Sequence, residues 1–108
     1  MKMYINLYKF YLPLQNNKGE PYDDAVNAFV SEVVLRAGGC TLLPVSAGLW
    51  VSPTGVLVQD NIFCLEVAVP AGTKDVLTGL LHTLFPDQQA FLVVALGTAE
   101  IIEVGSNV

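Results

Sequence analysis

Charge is scarce in this chain: 14% of its 108 residues are charged, against about a quarter in an average globular protein. Positive charge is scarcer still, since Lys2, Lys9, Lys18, Lys74 and the single Arg36 are scattered along the sequence and leave a net charge of -5. Nucleic-acid binding needs a basic stripe that releases counterions from phosphates, so a nucleic-acid partner is not expected. The acids are also dispersed, which argues against a dense DNA-mimicking surface. Histidine occurs once, as His82, with no Cys, His, Asp or Glu partner within a helical turn; metal binding and base catalysis both demand such partners. His82 reads as a surface histidine. The two cysteines, Cys40 and Cys64, lie outside any CxxC pattern in apolar, strand-like settings, where Cys behaves as a small hydrophobe. Nothing in the sequence supports a disulfide between them. No GxGxxG or GxxxxGK[ST] is present, and Gly38-Gly39 follow a helical pattern rather than precede one, which removes the phosphate-loop reading. Thr41, Ser46 and Ser52 lack a positioned base. No catalytic residue, metal site or cofactor is therefore expected. The longest apolar run, Ala90 to Leu96, falls far short of the roughly 20 residues of a spanning helix. Asn6 and Lys9 interrupt the apolar N-terminal stretch and no small-residue cleavage site follows, so no signal peptide is expected. The expectation is a cytoplasmic protein with no membrane partner.

What is abundant is hydrophobicity: 53% of residues, with a mean hydropathy of +0.53. The length fits a single domain over residues 1–108. Met3 to Leu12 is rich in Tyr, Phe, Leu and Ile and ends at Pro13, which reads as a strand. Its two sides carry Ile5, Leu7, Lys9 and Tyr11, and Tyr4, Asn6, Tyr8, Phe10 and Leu12; neither is cleanly polar. After a polar turn at Gln15–Pro21, Tyr22, Val26, Phe29, Val30, Val33 and Ala37 recur on one face of a helix. Asp23 and Asp24 suit its start, Arg36 its last turn, and Gly38 a left-handed C-terminal cap. Cys40 to Val51 reads as an edge strand weakened by Pro44 and Gly48. Ser52-Pro53-Thr54-Gly55 reverses the chain into a partner strand, Val56 to Val69. Thr73 is the expected N-cap of a second helix that repeats Leu77, Leu80, Leu81 and Leu84 and ends near Phe85-Pro86. Ala90 to Leu96 is a further strand that Gly97-Thr98 breaks, with Ala99 to Val104 as a short return strand or an extension.

The order β-α-β-β-α-β, with two short crossover helices, predicts a ferredoxin-like α+β sandwich: an antiparallel sheet with both helices on one face and strand order 4-1-3-2. Two helices cover one face only. Strands that are apolar on both sides then require something else over the other face.

Gly38-Gly39-Cys40-Thr41 followed by Gly48-Leu49-Trp50 resembles a GG-x-T and G-x-W pattern of small uncharacterised α+β proteins of bacteria and phages. The resemblance spans roughly Tyr4 to Val69. It implies a stand-alone ferredoxin-like protein, from a phage or mobile element, without an established reaction.

The favoured reading is a non-catalytic binding protein acting as a homodimer or higher homo-oligomer, a phage-type inhibitor that binds a host protein or sequesters a small ligand. Trp50, the sole tryptophan, lies before the hairpin turn with Tyr4, Tyr8, Phe10 and Tyr11 from the adjacent part of the sheet; such residues offer large, rigid contact area. Of these, Tyr8, Phe10 and Trp50, together with Arg36, Thr41 and Asp60, form the expected ligand- or partner-binding set. The alternative is a small enzyme of the dimeric α+β-barrel type, with an apolar pocket between subunits and Tyr8, Trp50, Asp60 and His82 as the groups to test. Nucleotide sequestration would need Arg36 and the lysines to converge between copies.

Overall fold

A computed structural model describes residues 5–105. Its element order is β1 (Ile5–Pro13), α1 (Asp23–Ala37), β2 (Thr41–Leu42), β3 (Ser46–Val51), β4 (Leu57–Val69), α2 (Ala71–Leu84) and β5 (Leu92–Ala99). The strands form one five-stranded sheet in which β1 pairs with β4 and β5, while β2 and β3 both pair with β4, all antiparallel. With β2 and β3 taken as one broken strand, this is the expected 4-1-3-2 order of a ferredoxin-like sandwich.

The core explains why both helices share a face. Alternate residues of the two central strands, Tyr8, Phe10 and Leu12 of β1 with Leu65, Val67 and Val69 of β4, form one cluster with Val26, Phe29 and Val33 of α1 and Leu77 and Leu81 of α2. Phe10 and Phe29 meet at 5.5 Å between ring centres. Each fully buried side chain of this kind stabilises the fold by about 1.5–3 kcal/mol. Gly38 caps α1 in the left-handed conformation (φ 83°), its N–H donating to the Val34 carbonyl. The turn at residues 52–55 forms as read: Gly55 N–H donates to the Ser52 carbonyl, and Val56 N–H to Ser52 Oγ.

Three details differ from the sequence reading. The Cys40–Val51 strand is broken: Leu43 N–H still donates to the Cys64 carbonyl, Pro44 has no donor to continue the ladder, and pairing resumes only at Ser46. Helix α2 starts two residues before Thr73; extended Pro70 (ψ 156°) occupies the N-cap position and its carbonyl accepts from Lys74 N–H. Strand β5 runs through Gly97-Thr98 to Ala99, the irregularity opposite Leu7 and Tyr8 being absorbed at Gly97 (φ 132°). Residues 100–105 add no strand.

At the far end a polar clasp ties the β1–α1 loop to the α2–β5 loop. Asn17 donates from its backbone N–H to Asp87 Oδ2 (2.8 Å) and from Nδ2 to the Asp87 carbonyl (2.9 Å), and Tyr22 Oη donates to Asp87 Oδ1. No helix among the described residues is long and apolar enough to cross a membrane.

Candidate functional site

Strand β4 is longer than its central partner. Pairing with β1 ends at Pro13 and Ile62, whereas pairing with β3 continues to Val51 and Leu57. The β3–β4 hairpin therefore leaves the body as a two-stranded arm. It exposes Leu49 (66%), Val51 (64%) and Leu57 (67%), and a lone two-stranded ribbon is at best marginally stable in water. The molecule measures 53 × 26 × 24 Å with a radius of gyration of 15.6 Å, against about 13 Å for a compact chain of this length. Its accessible surface is 7411 Å², where scaling with mass gives roughly 5,800 Å². The surplus is about twice what one partner buries in a standard protein–protein interface, and the exposed residues 100–105 share in it with the arm.

One side of the arm, that of Gly48, Trp50, Val58 and Asp60, continues the helix-free face, while Leu49, Val51 and Leu57 stand on its other side, in line with the helix-covered face. Trp50 Nε1 donates to Asp60 Oδ2 at 2.6 Å, across β3 and β4. Gly48 belongs to the same side, and a Cβ there would strike the Ile62 side chain, so the absent side chain lets Ile62 lie on the β3 backbone. From Asp60 the side continues along β4 through Ile62, Cys64, Glu66 and Ala68, flanked on β1 by Tyr11, Lys9 and Leu7 through the pairs Tyr11–Cys64, Lys9–Glu66 and Leu7–Ala68. Lys9 Nζ lies 4.9 Å from the Tyr11 ring centre. Contact with Tyr11 first, then the Glu66 carboxylate, hold the Lys9 ammonium above its ordinary pKa against desolvation. Burial pushes the Cys64 thiol up, partly offset by Lys9, so it stays protonated and inert at neutral pH.

Where α1 ends, this face holds a hollow of about 370 Å³ whose lining includes Leu7, Gly38, Thr41, Glu66, Ala68 and Ile101. Glu66 sits half-buried between Lys9 and Thr41, its cross-strand neighbours. No salt bridge to it is found among the described residues, and no group of three potential metal ligands occurs there.

The expected binding residues divide between the two faces. Trp50 and Asp60 come together on the arm, Trp50 staying 48% exposed rather than filling the core. Thr41 lines the Glu66 hollow. Arg36 lies on the last turn of α1, its Nε 3.1 Å from Glu32 Oε2. Phe10 is fully buried under the helices and Tyr8 nearly so, so neither ring shares a side with Trp50. The residues outside the expected binding set are Lys9, Tyr11, Glu66, Leu49 and Leu57. A length signal pointed to the last two: a 14-residue β run, Val56 to Val69, facing a ten-residue one, Met3 to Leu12.

No protein-family model matches the chain. Among solved structures, the divalent cation tolerance protein CutA1 of Thermus thermophilus superposes with a TM-score of 0.64 at 15% identity, over 97% of this chain and 88% of that one. CutA1 from Oryza sativa gives 0.62 at 16% identity, over 97% and 85%. A phage SAM lyase in complex with S-methyl-5'-thioadenosine gives 0.54 at 16% identity, over 92% and 90%. At these identities the likeness is one of fold. It supports the ferredoxin-like architecture and leaves the GG-x-T and G-x-W pattern without a family.

Proposed function

We propose that this protein acts as a homo-oligomer in which the arm of one copy lies on the helix-free face of another, and that the covered face is its binding site, for a small ligand or a host protein. The arm carries this reading. It holds apolar residues in water on a ribbon too thin to bury them itself, and its other side, that of Trp50, runs on into a half-buried face that no helix covers. A second copy supplies the missing layer, and the polar groups that remain, Lys9, Glu66, Thr41 and the Trp50–Asp60 pair, then fix what binds between copies. Native mass spectrometry of the purified protein tests this: a multiple of the 11.6 kDa chain mass is expected, with any bound small molecule reported as added mass. A monomer under non-denaturing conditions contradicts it.

A second reading, an enzyme working in an intersubunit pocket, is favoured by Glu66. A carboxylate in a hollow otherwise built mainly from small and apolar residues complements a cation with an apolar body, because low local dielectric strengthens the pairing. S-adenosylmethionine is a sulfonium cation of that kind, and a phage lyase named for it shares this fold. On this reading Glu66 positions the sulfonium of the substrate while the substrate's own carboxylate attacks the chain carbon bonded to sulfur; that C–S bond breaks with its electron pair going to sulfur, and S-methyl-5'-thioadenosine and the amino acid's lactone are released. Incubation with S-adenosylmethionine followed by mass spectrometry should show that product with the native chain and lose it with Glu66→Gln. Absence of product in both leaves the binding role alone.

A further inference from the structure

A second hollow, of about 320 Å³, lies on the opposite side of the sheet between α2 and β5, lined by Tyr8, Lys74, Thr78, Phe91, Val93 and Ala95. Its volume is at the lower end of the range for small-molecule sites. The floor is apolar and firmly held: Tyr8 belongs to the core, and Phe91 and Val93 pack against it. Phe91 is fixed edge-on between Phe85 (5.6 Å) and His82 (6.5 Å). Polar groups gather on one side only. Lys74 and Thr78 lie one helical turn apart and so project together, and Lys74 Nζ sits 5.8 Å from the centre of the Tyr8 ring.

The donor inventory decides what fits. Thr78 Oγ1 spends its hydrogen on the Lys74 carbonyl (2.9 Å). Tyr8 Oη accepts from Asn6 Nδ2 (3.3 Å), which leaves its own hydrogen to give. The side therefore offers an ammonium and a phenolic O–H, both donors, beside an aromatic and aliphatic floor. One carboxylate already uses the ammonium: Asp75 Oδ1 is 2.7 Å from Lys74 Nζ, on a side chain 71% exposed, where an ion pair is weakly held and exchangeable.

We infer that this hollow is a binding site for a small monocarboxylic acid with an apolar tail, its carboxylate taken by Lys74 and Tyr8 Oη and its tail laid on Phe91 and Val93. Asp75 is the resident competitor for the ammonium. The site is independent of the helix-free face and of the reading given above for it.

The test is titration of the ¹⁵N-labelled full chain with 3-phenylpropanoate and 4-methylpentanoate at neutral pH. Saturable shifts of the Lys74, Thr78 and Phe91 amides are expected, while 3-phenylpropanamide binds at least about tenfold more weakly, as loss of a charge-assisted hydrogen bond dictates. Lys74→Met should weaken the acids by a similar factor and Asp75→Asn should tighten them. Both positions lie on the helix surface, so the fold survives. Equal affinity for the amide, an unchanged affinity in Lys74→Met, or no saturable shift overturns the assignment. Glu66→Gln should leave this titration untouched, which separates the fate of this site from that of the other face.

Discussion

The helix-covered face of the sheet and the hairpin arm are built from the same residue types and end in opposite states. On the covered face Phe10, Leu65, Phe29 and Leu77 retain no accessible surface, whereas Leu49, Val51 and Leu57 on the arm keep about two-thirds of theirs. Hydrophobicity alone does not seal a strand; a second layer does, and α1 and α2 reach only one side of the body. The arm lies beyond the end of β1, so in a single copy it has no layer on either side. At about 1.5–3 kcal/mol per side chain, the three arm residues hold in reserve a contribution comparable to the total stability of a small domain. That reserve is what a second copy would draw on.

The comparison can be broken most strongly from the covered side. Phe29→Ala removes a fully buried ring that packs on Phe10 and should lower unfolding free energy by about 3–5 kcal/mol in a urea titration. A loss below 1 kcal/mol would show that this face is less closely packed than described. On the arm, Leu49→Lys combined with Leu57→Lys should leave far-UV circular dichroism unchanged and convert the assembly to single chains by light scattering. Unaltered mass would move the interface elsewhere. A smaller effect is expected for Asp60→Asn, which keeps the shape but weakens the bond from Trp50 Nε1. About 1 kcal/mol is at stake, and because Trp50 is the sole tryptophan a shift in its fluorescence emission reads the change directly. The smallest effect concerns pH. Burial raises the thiol pKa of both Cys40 and Cys64 in the folded chain. The folded state therefore binds more protons than the unfolded state above the ordinary thiol range, and stability should be full below that range and decline as pH rises through it. Cys40→Ala with Cys64→Ala should flatten that alkaline decline in thermal melts.

Much of the covered face was legible in the sequence. Phe29, Val30 and Val33 at helical spacing, Gly38 at the helix end, and the Ser52-Pro53-Thr54-Gly55 turn all report local chemistry, and each formed as read. Strand β5 was misjudged at Gly97, because a glycine that breaks a strand and one that absorbs a bulge look alike until the partner register is known. The site was harder still. Period two shows that Tyr8 and Phe10 share a side, and that Lys9 and Tyr11 share the other, but not which side the helices take. Once α1 and α2 settle over Phe10, the aromatic group around Trp50 loses Tyr8 and Phe10 to the core, and Tyr11 stays on its side. Glu66 was visible only as an acid in a strand; the hollow around it needs the end of α1, β2 and Ile101 together, which no local pattern encodes. The overhang of β4 was written in plain lengths.

Hydrogen exchange along β4 tests the central claim most directly, because a single strand spans both regions. With the native chain at high micromolar concentration, amides of the arm from Leu57 to Asp60 should be protected nearly as well as those from Leu65 to Val69, and should lose that protection on dilution or in the Leu49→Lys, Leu57→Lys variant. Arm amides that exchange at the rate of an isolated hairpin, whatever the concentration, would mean that the arm is bare and that no second copy covers it.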